Sequence, residues 1–224
     1  MSLPQHIAII CDGNRRWAKA HHQPELAGHR HAVETTMDQL IDACLEKQIP
    51  YLTFWVFSTE NWHRGNKWVN QYFNLLHQLF DKHFARLNQK NVRLHTIGNL
   101  KKLPPDIQKL FSDWTSKTKT NTKLNLIIAI NYGGRDEIIR AVNKIKSRPI
   151  TETDITQNLD TASFPDPDLL IRTGQNNTRL SGFMLWQLTY SQLYFTNTLF
   201  PDFTPKELDK ALDWYKQQTQ NLGK

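Results

Sequence analysis

The stretch HIAIICDGNRRWAK, residues 6–19, sets an unbroken apolar run against an abrupt polar cluster. Residues 6–11 are short, nearly continuous in apolar side chains and bounded by polar ones. That is the pattern of a strand buried on both faces of a parallel sheet. Four more runs read the same way: YLTFWVF (51–57), VRLHTIG (92–98), LNLIIAINY (124–132) and DLLIRT (168–173). Segments of helical spacing lie between them. Residues 29–48 place Val33, Met37, Leu40, Ile41, Cys44 and Leu45 on one stripe, and residues 70–90 do so with Phe73, Leu76, Phe80, Phe84 and Leu87. Residues 135–148 form a third such segment. The alternation predicts one α/β domain spanning residues 1–224. Residues 149–168 are polar and Pro-rich and read as a short capped helix and a loop. Residues 205–220 read as a closing helix, with Pro205 tolerated in its first turn because the missing N–H would be unpaired there.

Composition narrows the class. Of the 224 residues, 39% are hydrophobic and 22% charged, as in ordinary globular proteins. The net charge of +7, from 28 Lys+Arg against 21 Asp+Glu, favours anionic partners: nucleic acid, phosphorylated metabolites or an anionic membrane surface. Cys11 and Cys44 sit in apolar contexts without a C-x-x-C pair, which argues against zinc and for reduced core thiols. The N-terminal residues lack a signal-peptide pattern, and no run approaches the ~20 apolar residues of a membrane span. The expectation is a cytoplasmic protein able to work at a membrane surface.

In open α/β sheets ligands bind beyond the carboxyl ends of the strands. Four of the expected strands end in polar motifs: CDGNRRW (11–17), FSTENWHR (57–64), NYGGRDE (131–137) and RTGQNNTRLS (172–181). These supply Asp12, Asn14, Arg15, Arg16, Asn61, Arg64, Arg135, Arg172, Arg179 and Ser181. Arginine forks match phosphate oxygens, and a carboxylate among them can hold a divalent ion that bridges phosphates. DGN alone is a common turn, so the convergence of four strand ends carries the reading: one diphosphate site, or two. There is no G-x-G-x-x-G after the first strand and no G-x-x-x-x-G-K-[ST], which disfavours a dinucleotide fold or a P-loop.

Two further features accompany the arginines. The Phe/Leu face of residues 70–90, with Trp55, Val56, Phe57, Trp62 and Trp68 before it, is either core packing or, in part, the wall of a cleft for a hydrophobic tail. His21 and His22 read as solvated loop residues, whereas His29 follows a glycine ahead of a helix and is placed to contact an anion. The arginines lie at strand ends and not along one helix, which argues against a nucleic-acid binder.

HIAIICDGNRRWAK, the GH at 28–29, FSTENWHR, NYGGR and the block 169–203 resemble, in order, the motifs of the cis-prenyltransferases, the family of undecaprenyl and dehydrodolichyl diphosphate synthases. The resemblance implies a parallel six-stranded sheet flanked by helices, a hydrophobic cleft, a homodimer, and Mg²⁺-dependent condensation of isopentenyl diphosphate onto an allylic diphosphate with cis double bonds. It implies a metal-binding aspartate at Asp12 and a diphosphate cradle at Gly13, Asn14, Arg15, Arg16 and His29, with Arg64. It puts a proton-handling asparagine at Asn61, beside Ser58 and Trp62, and the isopentenyl diphosphate site at Arg172, Arg179 and Ser181. Trp17, Thr59, Glu60 and Leu180 fall inside the same motifs and join the expected substrate contacts.

The departures from the family pattern are specific. The second metal carboxylate of the family reads Gln192. The family's GGE after the strand arginine reads GQNN, with one extra residue before Arg179. An acid after NWHR reads Trp68, an arginine four residues before His29 reads Glu25, and a common glycine reads Arg15, which compensates for Glu25. A C-terminal R-x-G reads Asn221-Leu222-Gly223. Val56 and Ile130 replace smaller residues of long-chain members and point to a short or medium product. Two alternatives follow: a weakly active or non-catalytic subunit that binds prenyl diphosphate, and an irregular prenyltransferase that joins or cyclises dimethylallyl units.

Overall fold

The computed structural model describes residues 2–146, 148–174 and 178–218. Six strands, β1 (His6–Ile10), β2 (Tyr51–Ser58), β3 (Val92–Ile97), β4 (Leu124–Tyr132), β5 (Leu169–Arg172) and β6 (Gln192–Phe195), form one sheet in the order β3-β4-β2-β1-β5-β6. Every neighbouring pair is parallel. All five residues of β1 are buried, as a central parallel strand between two layers requires. The expected six-stranded parallel sheet is therefore present. β6 was not visible as an apolar run, because its four residues lie at the sheet edge and none is fully buried.

Parallel neighbours need crossovers, and the helices supply them. They are α1 (Asn14–Ala20), α2 (Ala27–His31), α3 (Met37–Glu46), α4 (Asn66–Gln89), α5 (Pro105–Lys117), α6 (Gly134–Lys144), α7 (Glu152–Asn158) and α8 (Pro205–Lys216). One face of the sheet packs Ile7, Ile9, Leu52 and Phe54 against α3, α4, α5 and α8. The other packs Ala8, Ile10, Ile127 and Ala129 against Phe183, Met184 and Leu188. Among the described residues, no helix is long and apolar enough to cross a membrane. Cys11 and Cys44 are both free thiols.

The expected helix over 29–48 is interrupted. A π-helical turn, Ala32–Thr36, joins α2 to α3, and there the Thr36 hydroxyl donates to the Pro201 carbonyl at 2.8 Å. The third expected helix ends at Lys144, short of Pro149, in keeping with the restriction proline imposes upstream. The capped helix expected within 149–168 is α7, where Thr151 and Asp154 form a reciprocal capping box. α5 was not read from the sequence at all. The β2–β4 register slips twice, between Trp55 and Phe57 and again before Ser58. The four polar motifs follow β4, β2, β1 and β5, which are adjacent in the sheet, so their residues meet at one edge of it.

Candidate active site

A cleft of about 920 Å³ opens where these strands end. Its mouth is polar, with Asp12, Asn14, Arg15, Arg16, Lys19, Glu25, His29, Arg64, Arg172 and Ser181 on it. Its wall is apolar, formed by Val33, Met37, Val56, Phe57, Tyr72, Leu76 and Phe200.

Local sequence explains the mouth. Gly13 turns the chain out of β1 at φ +115°, a conformation that strains any residue with a Cβ, and a Cβ there would also stand 3.0 Å from Leu199. Asn14 closes the turn by donating to the Cys11 carbonyl at 2.9 Å. Gly28 lets α2 press against α1, since a Cβ at Gly28 would stand 2.0 Å from the Asn14 carbonyl oxygen. That contact sets the neighbouring His29 beside the cradle.

Asp12 accepts from Arg16 at 3.1 Å and from Arg172 Nη2 at 3.2 Å. Arg172 is only 4% exposed, and its Nη1 donates to the Arg179 carbonyl and, at 2.8 Å, to Ser181 Oγ. Burial lowers the pKa of Arg172, while the bond to Asp12 opposes that shift. Arg64 lies 4.5 Å from the centre of the Trp68 ring. Its pKa is also lowered, by burial first and then by the nearby Arg15. His29 is pushed down to about 3 by burial and then by Arg64, against a raising hydrogen bond with the Glu25 backbone. It is a neutral imidazole at physiological pH. Arg15 and Glu25, the two departures expected to offset each other, form an ion pair, with Arg15 Nε 2.6 Å from Glu25 Oε1.

Five buried side-chain polar atoms among the described residues lack a hydrogen-bond partner. Four of them, Asn14 Oδ1, His29 Nδ1, Trp68 Nε1 and Arg172 Nε, belong to residues that line this cleft. Buried polar groups are ordinarily paired, so such a concentration makes the cleft mouth the candidate seat of a polar ligand.

Other sequence-derived candidates fall around it. Ser58, Glu60 and Asn61 line the cleft, but Asn61 Oδ1 already accepts the Ser58 N–H at 3.0 Å, as part of a capping box. Thr59 donates to Glu60 at 3.1 Å. Trp62 packs on Phe57 and Phe73 and donates to Asn131 at 2.8 Å, which ties β2's end to β4's. Arg179 and Arg135 are exposed and do not line the cleft, and Leu180 packs on the second core.

Trp17 is corrected. It does not line the cleft: a further ~100° around α1 from Arg16, its ring stacks between His21 and His31 and its Nε1 donates to Asp202 at 2.8 Å. His21 is exposed in the turn after α1, as expected, and also stacks on Trp17. Asn176 and Asn221–Gly223 lie outside the described residues. Sequence reasoning missed Lys19, Tyr72 and Phe200. Tyr72 is held by donating to the Val56 carbonyl at 2.6 Å, and Phe200 N–H donates to the Asp12 carbonyl at 3.0 Å.

Gln192 is also corrected as a companion ligand to Asp12 within one chain. It shares a register row with Leu169 and Ile7, three rows before Ile10. At ~3.3 Å per residue that puts it about 10 Å below the row of Ile10. Among the described residues no three acidic, histidine or cysteine side chains are grouped to hold a metal. A half-buried Asp12 beside an anion-seeking cradle nonetheless suits Mg²⁺, which binds through one or two carboxylates and substrate phosphates.

The comparisons agree with this geometry. Residues 10–223 match the family model described as putative undecaprenyl diphosphate synthase. The isoprenyl transferase of Brucella suis biovar 1 (strain 1330) is 43% identical over 100% of this chain and 91% of its own length. That of Aquifex aeolicus (strain VF5) is 41% identical over 100% and 97%. Lavandulyl diphosphate synthase from Lavandula x intermedia, solved in complex with dimethylallyl diphosphate, superposes with a TM-score of 0.95 at 33% identity, covering 100% of this chain and 99% of its own. A probable undecaprenyl diphosphate synthase from Campylobacter jejuni gives 0.85 at 35%, with both chains fully covered. With the motifs in place on four adjacent strand ends and the match running through almost the whole sequence, the chain belongs to the undecaprenyl diphosphate synthase family of isoprenyl transferases.

Proposed function

We propose that this prenyltransferase condenses isopentenyl diphosphate with an allylic diphosphate to make a cis-polyprenyl diphosphate of short or medium length. The observation that carries the reading is the cleft itself, with unpartnered buried polar atoms at its cationic mouth and an apolar wall behind them. Gly13, Asn14, Arg15, Arg16, His29 and Arg64 hold the allylic diphosphate, and Arg172, with Ser181, holds isopentenyl diphosphate, while Arg179 stands outside the cleft and adds its charge. The arginine forks stabilise charge as the allylic carbon–oxygen bond breaks. The wall excludes water from the developing cation. Asp12 would hold Mg²⁺, which supplies further stabilisation of the departing diphosphate. Because Asn61 Oδ1 is engaged in its cap, the proton lost from the condensed intermediate passes to a diphosphate oxygen, with Asn61 positioning.

Short product length is supported by the narrow continuation of the cleft. Beyond Val33 and Met37 lies a small cavity of about 30 Å³, lined by Ile41, Phe80 and Leu126 among others. A second reading, an irregular coupling of dimethylallyl units, is favoured by the 0.95 superposition on lavandulyl diphosphate synthase. Incubation with farnesyl or dimethylallyl diphosphate, labelled isopentenyl diphosphate and Mg²⁺ separates the readings. Chains well short of eleven isoprene units support the first, and product from dimethylallyl diphosphate alone supports the second. No product under any metal condition leaves the non-catalytic subunit. Homodimer formation and peripheral membrane contact belong to the same proposal and are checked by sedimentation with and without vesicles.

A further inference from the structure

Arg15 and Glu25 face each other across the cleft mouth at 2.6 Å, with side chains 57% and 44% exposed. An ion pair that exposed contributes little to stability. It therefore does little to hold the segment between α1 and α2 in place. What it does is occupy an arginine. Arg15 lines the cleft, and its charge is felt by both Arg64 and His29, whose pKa values it helps to lower. Glu25 acts in the opposite direction on Arg64. The Glu25 carboxylate thus lies in the joint field of two cleft arginines. Within the same mouth, Asn14 Oδ1 and His29 Nδ1 are buried and without partners. Carboxylate and phosphate oxygens present the same acceptor geometry to a guanidinium fork.

We propose that the Glu25 carboxylate is a resident stand-in for a diphosphate oxygen: it engages Arg15 in the ligand-free cleft and surrenders it when a diphosphate enters. This rests on the diphosphate reading above. Binding becomes an exchange of anions on Arg15, and charge decides the outcome. A diphosphate, with several negative charges, displaces the one carboxylate, and the broken pair is subtracted from its binding free energy. Glu25 is then a residue that sets how tightly the cleft holds a diphosphate: it lowers the affinity of any anion that takes Arg15 and leaves one that binds without Arg15 less affected.

The test is calorimetric binding of inorganic pyrophosphate and inorganic phosphate to wild type, Glu25→Gln, Arg15→Gln and the double variant. Both side chains are exposed, so all four proteins should fold, and circular dichroism checks it. E25Q is expected to bind pyrophosphate about fivefold tighter and phosphate tighter by the same or a smaller factor. In the R15Q background the same change should have less than a twofold effect. E25Q binding that is unchanged or weaker overturns the proposal, since Glu25 would then merely orient Arg15. An equal gain with and without Arg15 also overturns it, because Glu25 would then act by general repulsion. Wild type that binds neither pyrophosphate nor dimethylallyl diphosphate overturns the diphosphate reading itself. Wild type that binds both, with E25Q indifferent, overturns only the exchange at Arg15.

Discussion

The cleft mouth and the polar cluster on the opposite face of the sheet are both charged and both hold buried polar atoms, but they close their hydrogen bonds differently. In the cluster, Glu137 is 1% exposed and accepts from the Tyr132 hydroxyl at 2.5 Å, from Gln187 at 3.0 Å and from the Asp160 backbone N–H at 3.0 Å. Arg140 binds Asp160 in a two-point fork at 2.7 Å, and Asp160 also accepts the Gly98 N–H at 2.9 Å. Burial raises the pKa of Glu137, and its donors oppose that shift. One atom there, Gln187 Oε1, is left over, against four at the cleft. The cluster is a structural joint that fastens the segment after Ser181 to β4, α6 and the turn after α7. The cleft is built with bonds left to make. Saturation separates a joint from a binding site more cleanly than charge or burial does.

The comparison can be broken most directly at Glu137. Glu137→Ala leaves three buried donors without an acceptor, at ~1–3 kcal/mol each, and should cost about 4 kcal/mol by urea unfolding. A loss below about 1 kcal/mol would mean the joint holds nothing. Asp12→Asn at the cleft should do the reverse, lowering kcat by about 10²–10³ while stability moves by less than about 1 kcal/mol. Steady-state kinetics and thermal melts on one preparation check both halves.

Histidines sharpen the contrast through pH. His6 in the core is held near 4 and His29 at the cleft near 3, both chiefly by burial. The unfolded chain therefore takes up these protons first, near pH 6.5, and stability falls as pH drops from there toward the folded values. Each contributes about 1.4 kcal/mol per pH unit in that window. Unfolding free energies between pH 7.5 and 4.5 should show this loss, and His29→Asn should remove one share of the slope. The smallest effect is Trp68→Phe. It keeps an aromatic ring against Tyr72 and removes the unpartnered N–H, so stability should hold or rise by up to about 1 kcal/mol. A loss above that would show that Trp68 Nε1 is satisfied after all.

Much of this was legible in the sequence, for identifiable reasons. Four of the five strands read from the sequence announced themselves because central parallel strands are apolar on both faces, the fifth, β3, lies at an edge but buries Val92, Leu94 and Ile97, and the arginine motifs stood out because they interrupt those runs. β6 stayed hidden because Gln192–Phe195 lies half-buried at an edge and has no such signature. α5 stayed hidden because Ile107, Leu110, Phe111 and Trp114 are diluted by Lys, Ser and Thr, although all four are buried. The two departures at Arg15 and Glu25 were visible in the sequence, but the ion pair between them was not. The placements of Trp17 and Gln192 were not visible either, since one depends on the rotation of a short helix and the other on strand register, and neither is written in a local motif.

The double register slip in β2 has a consequence of its own. In a regular strand neighbouring side chains point to opposite layers, so a cavity on one side is touched by every second residue. Here Trp55, Val56, Phe57 and Ser58 all line the cleft, four in succession. The irregularity turns a picket fence into a continuous panel, and a deletion that restored alternation would open a gap in that panel while leaving every residue type in place.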